Sequence, residues 1–224
     1  MPESEVEGLT HFLYEMGLLK RYRRTGWWVA GVGDPESIAE HSFRTAVIGY
    51  LLAVLEGADP DRTAALCLFH DTQETRIGDV PLIGKGYVTT APNPEVTADQ
   101  VAGFPEAAGR AVRDLVGEYE ARETREARLA KDADKLECLL QAREYQAQGH
   151  ADAEAWIESS AAALRSTSAR RLAESCRRVP PRRWWEAVAA ARSGQARPAR
   201  GDAPARGDAP ARGDTPARGD AAAP

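Results

Sequence analysis

Apolar residues recur at intervals of three and four along most of the chain, the period of a buried helical face. Over 7–22 they fall at Leu9, Phe12, Leu13, Met16 and Leu19, which predicts a first helix with those side chains turned inward. A loop follows, from Arg24-Thr25-Gly26-Trp27-Trp28 to Pro35. The next helix is expected to start at Ser37, where Ser37 and Glu40 have the spacing of a capping box. It runs to about residue 56 with Ile48, Leu52 and Leu55 on one stripe. Asp59 supplies an N-cap and Pro60 a first-turn proline for a third helix over 60–76, which Gly78 ends. The stretch 81–104 holds Gly and Pro without clear period and reads as a long irregular segment. Further helices are expected at 105–120, 124–149, 151–165, 168–178 and 181–193. No segment alternates apolar and polar residues between turn signals, so the class is all-α.

The periodicity stops near residue 195. From Pro198 a six-residue unit recurs as PARGDA, PARGDA, PARGDT, PARGDA. Pro, Gly, Ala and alternating charges bury too little apolar surface to offset the entropy of ordering. Residues 195–224 are therefore expected to be a disordered tail behind one domain over 1–194, and the Arg-Gly-Asp triplets to be incidental to the repeat. Composition adds little: 43% hydrophobic and 28% charged is ordinary for a globular chain. A formal net charge of −5 argues against a nucleic-acid polymer as partner, while a local cluster can still bind a small phosphorylated ligand. The 3 cysteines, Cys67, Cys138 and Cys176, form no CxxC pair, which fits a reducing cytoplasm. The acidic N-terminus lacks a signal-peptide layout, and no apolar run is read as long enough for a membrane span.

Side chains suited to metals concentrate in three places: Glu40-His41-Ser42, His70-Asp71-Thr72-Gln73-Glu74 with Asp79 behind it, and Lys131-Asp132-Ala133-Asp134-Lys135. Imidazole and carboxylate together suit a divalent metal such as manganese, cobalt, iron or zinc. His41 shares the helical stripe of Ile48 and Leu52. Asp71 follows Ala64-Ala65-Leu66-Cys67-Leu68-Phe69, a run with no polar residue, and a carboxylate there is costly to bury without a partner. A metal, an arginine or a capped helix end would serve. Periodicity does not choose between Asp132 and Asp134: the stripe of Leu129, Ala133, Leu136 and Leu140 lies closer to Asp132, whereas Asp134 shares a face with Ala130, Cys138 and Gln141.

The order His41, His70-Asp71 and a distant aspartate resembles the signature of HD-domain phosphohydrolases. Arg24-Thr25-Gly26-Trp27, Pro35-Glu36-Ser37 with Ala39-Glu40-His41-Ser42, His70-Asp71-x-x-Glu74, Gly78-Asp79-x-Pro81 and Lys131-x-x-Asp134 look like the 5′-deoxynucleotidase group within it. The resemblance covers about residues 8–150 and fades beyond 155. It implies an HD-domain helical bundle with one divalent metal (Mn, Co, Fe, Zn or Mg) held in its core by His41, His70, Asp71 and Asp134, the family spacing alone selecting Asp134. It further implies that Glu74 orients or deprotonates the attacking water, one turn beyond His70 on the same helix. Asp79 would fix water or the sugar and assist the leaving oxygen. Arg24 would grip the phosphate, Trp27 would lie against the sugar, and Lys85 would add a second phosphate contact. Residue type alone leaves a salt bridge open for Arg24, core packing for Trp27 and Trp28, and a solvated loop for Lys85. The implied reaction is hydrolysis of (2′-deoxy)nucleoside 5′-monophosphates, and the implied assembly a homodimer. Trp184 and Trp185 would serve either a dimer contact or packing within the domain.

Other chemistries use this scaffold. A di-iron oxygenase needs further histidines between the His-Asp pair and the late aspartate, but the 4 histidines are His11, His41, His70 and His150. A triphosphohydrolase or alarmone hydrolase calls for a larger basic apparatus than Lys85 provides in the irregular segment. A non-catalytic regulator would lack the water-positioning acid, whereas Glu74 and Asp79 are both present. A phosphatase dedicated to one modified nucleotide stays open.

Overall fold

A computed structural model describes residues 1–193 and is helical throughout, with one isolated antiparallel bridge between Arg23 and Ser37. The expected repeat tail lies outside the described residues. A compact unit spans Met1–Pro181 and carries every candidate site residue; a second begins at Arg182. In the second, the helix Arg183–Ser193 sets Trp184 and Trp185 edge to face, ring centroids 5.9 Å apart.

Helix α1 (Glu3–Met16) begins earlier than its periodicity suggests and passes into a 3₁₀ turn, Gly17–Lys20. Phe12 and Leu19 are buried, but Leu13, expected inside, is 71% exposed. A single helical turn, α2 (Gly26–Val29), interrupts the expected loop. Helix α3 (Ile38–Glu56) starts where the capping box places it: the Glu40 N–H donates to Ser37 Oγ at 3.2 Å and the Ser37 N–H to Glu40 Oε2 at 2.6 Å. Helix α4 (Pro60–Phe69) is capped by Asp59, which accepts from the Arg62 N–H at 3.0 Å.

The expected third helix is cut in two, with α5 (Glu74–Ile77) separate from α4. Two side chains explain the break. His70 Nδ1 donates to the Cys67 carbonyl at 2.6 Å and Thr72 Oγ1 to the Phe69 carbonyl at 2.9 Å. Those carbonyls would otherwise take the N–H groups of Asp71 and Gln73. The segment 81–104, expected to be irregular, contains α6 (Asn93–Gln100), with Pro94 in its first turn. Beyond it come α7 (Glu106–Ala121), α8 (Arg125–Ala147), a 3₁₀ turn at Ala151–Ala153, α9 (Glu154–Ala163) and α10 (Thr167–Arg178).

Helix α8 is the axis of the unit, packed against α3, α4, α7, α9 and α10. It is therefore buried on more than one side, and Asp132 and Asp134 are both buried. Helix α3 is apolar on two faces. His41, Ile48 and Leu52 face the core, but Leu55, expected beside them, is 62% exposed with Phe43, Val47, Leu51 and Val54. By length and composition α3 reaches the measure of a membrane span, contrary to expectation, with half of it buried inside the unit.

The approach of α3 to α4 and α8 depends on Gly49. A Cβ there would lie 2.6 Å from Cys67 Sγ, 3.3 Å from Thr63 Cγ2 and 3.6 Å from Ala133 Cβ. Replacing Gly49 with valine is expected to overpack this junction and destabilise the protein by about 1–3 kcal/mol. A thermal melt unchanged from wild type would show that the helices can part without cost.

Candidate metal centre

The centre is assembled where α3, the end of α4 and α8 meet. His41 stands one turn into α3 and is fully buried. Its Nδ1 is 2.5 Å from Glu137 Oε2, on α8. A carboxylate only accepts, so Nδ1 carries a proton. With a metal bound the ring is neutral and presents the Nε2 lone pair. Without one, against burial and Arg24, the Glu137 and Asp134 carboxylates push the imidazole well above its usual range. His70 follows the same logic with the Cys67 carbonyl at 2.6 Å. Both Nε2 atoms are buried without a hydrogen-bond partner.

They face carboxylate oxygens. Asp71 Oδ2 lies 3.0 Å from His70 Nε2 and 3.8 Å from His41 Nε2, and Asp134 Oδ1 lies 3.4 Å from His41 Nε2. Buried lone pairs pointing at carboxylate oxygens repel unless a proton or a metal cation lies between them. Ligand atoms of His41, His70 and Asp71 fall within 4.8 Å of one another, a spacing one ion can satisfy. The donor set, two neutral imidazoles and carboxylate oxygen, fits a divalent cation of intermediate softness. A second grouping, His41 with Glu137 and Cys138, uses an imidazole nitrogen already committed to Glu137.

Around this cluster the charges are set by burial and by one another. Burial opposes ionisation of Asp71, yet His70, Arg24 and His41 hold its carboxyl below the usual carboxylate range. The Glu74 carboxyl is pushed up to about 9, first by burial and then by Asp71 and Asp79. Its Oε2 is buried and unpaired. Arg24 reaches in from the loop before α2, with Nη1 3.3 Å from Asp71 Oδ2 and Nη2 3.3 Å from Cys138 Sγ.

The two late aspartates separate cleanly. Asp132 accepts the backbone N–H groups of Arg165 at 2.9 Å and Ser166 at 2.6 Å, fastening the turn that leads into α10. Asp134 stands beside His41, with Lys135 Nζ 3.1 Å from its Oδ2.

Other expected contacts lie elsewhere. Trp27 is 2% exposed; its indole N–H donates to Glu36 Oε1 at 3.0 Å, and its ring packs against Tyr145 and Trp156 with centroids 5.1 and 5.5 Å away. It is a core residue and offers no open face to a sugar. Asp79 Oδ2 accepts the Thr25 N–H at 2.5 Å, tying the Arg24 loop to the end of α5, so this oxygen is engaged rather than free for water. Lys85 stands exposed on the turns over 82–87, outside the cluster. Glu74 heads a new helical turn instead of extending the helix of His70, yet its carboxyl still feels the charges of Asp71, Arg24 and Asp79.

Glu137 and Arg44 were not anticipated. Glu137 Oε1 accepts from Arg44 Nε at 2.9 Å and Nη2 at 2.7 Å, and Arg44 Nη1 also binds Glu144 at 2.9 Å. Burial works against the charge on Glu137, but His41 and Arg44 keep its carboxyl below its ordinary value. The signal was present in the sequence: Glu137 interrupts Leu136-Glu137-Cys138-Leu139-Leu140 as Asp71 ends the apolar run before it.

With this geometry the relationship is plain: the chain belongs to the HD domain family, whose model matches residues 16–175. It is 34% identical over 141 residues to a mouse (Mus musculus) protein named 5′-deoxynucleotidase HDDC2, covering 62% of this chain and 70% of that one. A Saccharomyces cerevisiae relative, 5′-deoxynucleotidase YGK1, is 29% identical over 151 residues, 60% of this chain and 65% of its own length. Among solved structures, the "predicted metal-dependent phosphohydrolase" of Magnetospirillum magnetotacticum MS-1 superimposes with a TM-score of 0.59 at 26% identity, covering 82% of this chain and 98% of its own.

Substituting the two aspartates distinguishes their roles. Asp134→Ala is expected to lose bound metal. Asp132→Ala should retain it but melt lower, by about 1–3 kcal/mol for two buried N–H groups left without an acceptor. Elemental analysis of the purified variants checks this, and the reverse pattern would exchange the assignments.

Proposed function

We propose that this chain hydrolyses (2′-deoxy)nucleoside 5′-monophosphates to nucleoside and inorganic phosphate. The coarser statement, a phosphate-ester hydrolase of the HD-domain type that depends on a metal, rests on the family and on the names of its relatives. The observation that carries the finer one is the pair of unpartnered Nε2 atoms facing Asp71 and Asp134, with the Arg24 guanidinium beside them. His41, His70, Asp71 and Asp134 are the proposed ligands of one divalent ion. When bound, such an ion supplies Lewis-acid polarisation of a phosphoryl oxygen.

The remaining chemistry belongs to the chain. Arg24 meets the phosphate with a planar fork of donors suited to a multi-oxygen anion. Glu74, with one oxygen unpaired, would take the proton of the attacking water once a bound cation offsets the burial and the Asp71 and Asp79 charges that otherwise keep its carboxyl protonated. Asp79 acts as a positioning residue, holding Thr25 and with it the neighbouring Arg24. A single arginine at the phosphate favours a monophosphate, because two further phosphoryl groups would stay poorly compensated in a half-buried cavity. The preference for a 2′-deoxy sugar rests on the relatives' names; Trp27, enclosed in the core, supports no steric version of it. The free cysteines, two of them buried, agree with a reducing compartment.

A homodimer is part of this proposal, supported by the outward apolar stripe of α3 rather than by Trp184 and Trp185. Phe43, Val47, Leu51, Val54 and Leu55 are all exposed on it. A contiguous patch of this kind marks an association surface. Val47→Glu with Leu51→Glu should convert a dimer to a monomer in sedimentation experiments; a wild type that sediments as a monomer ends the idea.

The function itself is tested by phosphate release from ribo- and deoxynucleoside mono-, di- and triphosphates with several divalent metals. Monophosphates should be turned over and triphosphates hardly at all. Glu74→Gln should keep its metal while turnover falls by about two to four orders of magnitude. A wild type that prefers triphosphates or cyclic nucleotides to every monophosphate would refute the nucleotidase reading.

A further inference from the structure

A cavity of about 430 Å³ is lined by Arg122, Arg128, Lys131, Lys135 and Arg165, with Asp132 as the carboxylate among them. None of the proposed metal ligands, nor Arg24 or Glu74, lines it. Three elements supply the cations. Arg128, Lys131 and Lys135 recur at three- and four-residue intervals along one face of α8, Arg122 closes α7, and Arg165 begins the turn into α10.

Against these five cations stand two carboxylates, Asp132 in the lining and Asp134 beside Lys135, so the charges still sum to an excess of cations. Both Asp132 oxygens are taken by the N–H groups of Arg165 and Ser166. Of the five cations, Lys135 alone forms an ion pair among the described residues, with Asp134 at 3.1 Å. Lys131 lies over the Tyr119 ring, 4.0 Å from its centroid, and that ring in turn packs on His70. A chain with formal net charge −5 thus gathers five cations around one hollow. Like charges held together raise the free energy of the unliganded state, and a multivalent anion removes that cost.

The backbone points the same way. Arg122 is the one non-glycine among the described residues in the left-handed region, at φ 57°. Glycine occupies such a helix end more cheaply. An arginine there accepts a backbone cost that glycine avoids and brings a fifth cation to the cavity wall.

We propose that this cavity is a second ligand site, one that takes a polyphosphate chain, as carried by a nucleoside triphosphate or by inorganic polyphosphate. The volume is of the size that holds a nucleotide. The guanidinium forks of Arg122, Arg128 and Arg165 suit successive phosphoryl groups, and the lysines serve as point charges at the floor. The Lys135–Asp134 contact connects this site to the metal centre, so an anion drawing Lys135 away removes an ion-pair partner from Asp134. The occupant is an effector, distinct from the monophosphate hydrolysed next door.

The test is calorimetric titration of the metal-loaded protein with inorganic tripolyphosphate and, separately, with a non-hydrolysable deoxynucleoside triphosphate analogue. Both should bind, and affinity should fall steeply with salt. Arg128→Glu with Arg165→Glu should weaken binding about tenfold or more, a loss of about 1.4 kcal/mol or more. Arg24→Ala should leave binding unchanged. Tighter binding of the analogue identifies a nucleotide effector, and equal binding identifies the polyphosphate chain alone. Should the charge-reversed pair fail to fold, Arg128→Ala with Arg165→Ala replaces it, with a smaller loss expected in the same direction. Absence of binding at millimolar probe, or binding abolished by Arg24→Ala and indifferent to Arg128 and Arg165, overturns the proposal. The readout is binding, so it is independent of whether monophosphates prove to be the substrates.

Discussion

The contact on which the centre depends is the hydrogen bond from His41 Nδ1 to the Glu137 carboxylate. It spans α3 and α8, the two longest helices, and fixes both the tautomer and the plane of the imidazole. A carboxylate buried this deeply costs several kcal/mol unless its charge is met. Arg44, one turn beyond His41, meets it with two donors and carries the charge onward to Glu144 at the rim of the core. The chain His41–Glu137–Arg44–Glu144 therefore does two things at once. It satisfies a buried anion, and it aims Nε2 at the carboxylates of Asp71 and Asp134, an arrangement that calls for positive charge between them.

That geometry explains which parts of the fold could be read in advance. Where the signal is local, reading succeeds: Ser37 with Glu40 and Asp59 with Pro60 mark helix starts because the capping atoms lie within three residues of the groups they satisfy. Periodicity is less informative when a helix has more than one covered or apolar side. Leu13 and Leu55 carry the right spacing and lie outside, because α1 and α3 have more apolar positions than the core has room to enclose. The break at 70–73 has no periodic signature at all. It comes from His70 and Thr72 side chains taking helical carbonyls, a competition that composition alone does not reveal.

For the site, the informative sequence feature was charge inside apolar runs. That criterion picked out His41, His70 and Asp71, which the fold brings together. Applied evenly, it would also have picked out Glu137. It did not decide between Asp132 and Asp134 because α8 is enclosed and both face protein, one toward backbone N–H groups and the other toward His41. The loop residues were harder to read, since a motif records that a residue matters without recording what it touches. Trp27 and Asp79 hold the Arg24 segment from two sides, Trp27 through Glu36 and Asp79 through Thr25. In the proposed reaction their part is to position one guanidinium.

Helix α8 also explains why two anion-handling sites can lie so close and remain separate. At about 100° per residue, Asp134, Glu137 and Gln141 share one face, while Arg128, Lys131, Asp132 and Lys135 share the adjoining one. The first face is lined by groups that need a cation, the second by groups that need an anion. Lys135 and Asp134 are neighbours in sequence and touch across the boundary, so each partly neutralises the other. Asp132 anchors the second face by fixing Arg165 in place, just as Glu137 anchors the first by fixing His41. A rigid helix with one buried acid committed to each side cannot rotate to favour either. Occupancy on one side can reach the other through the Lys135–Asp134 pair and through Lys131, which lies over the Tyr119 ring that packs on His70.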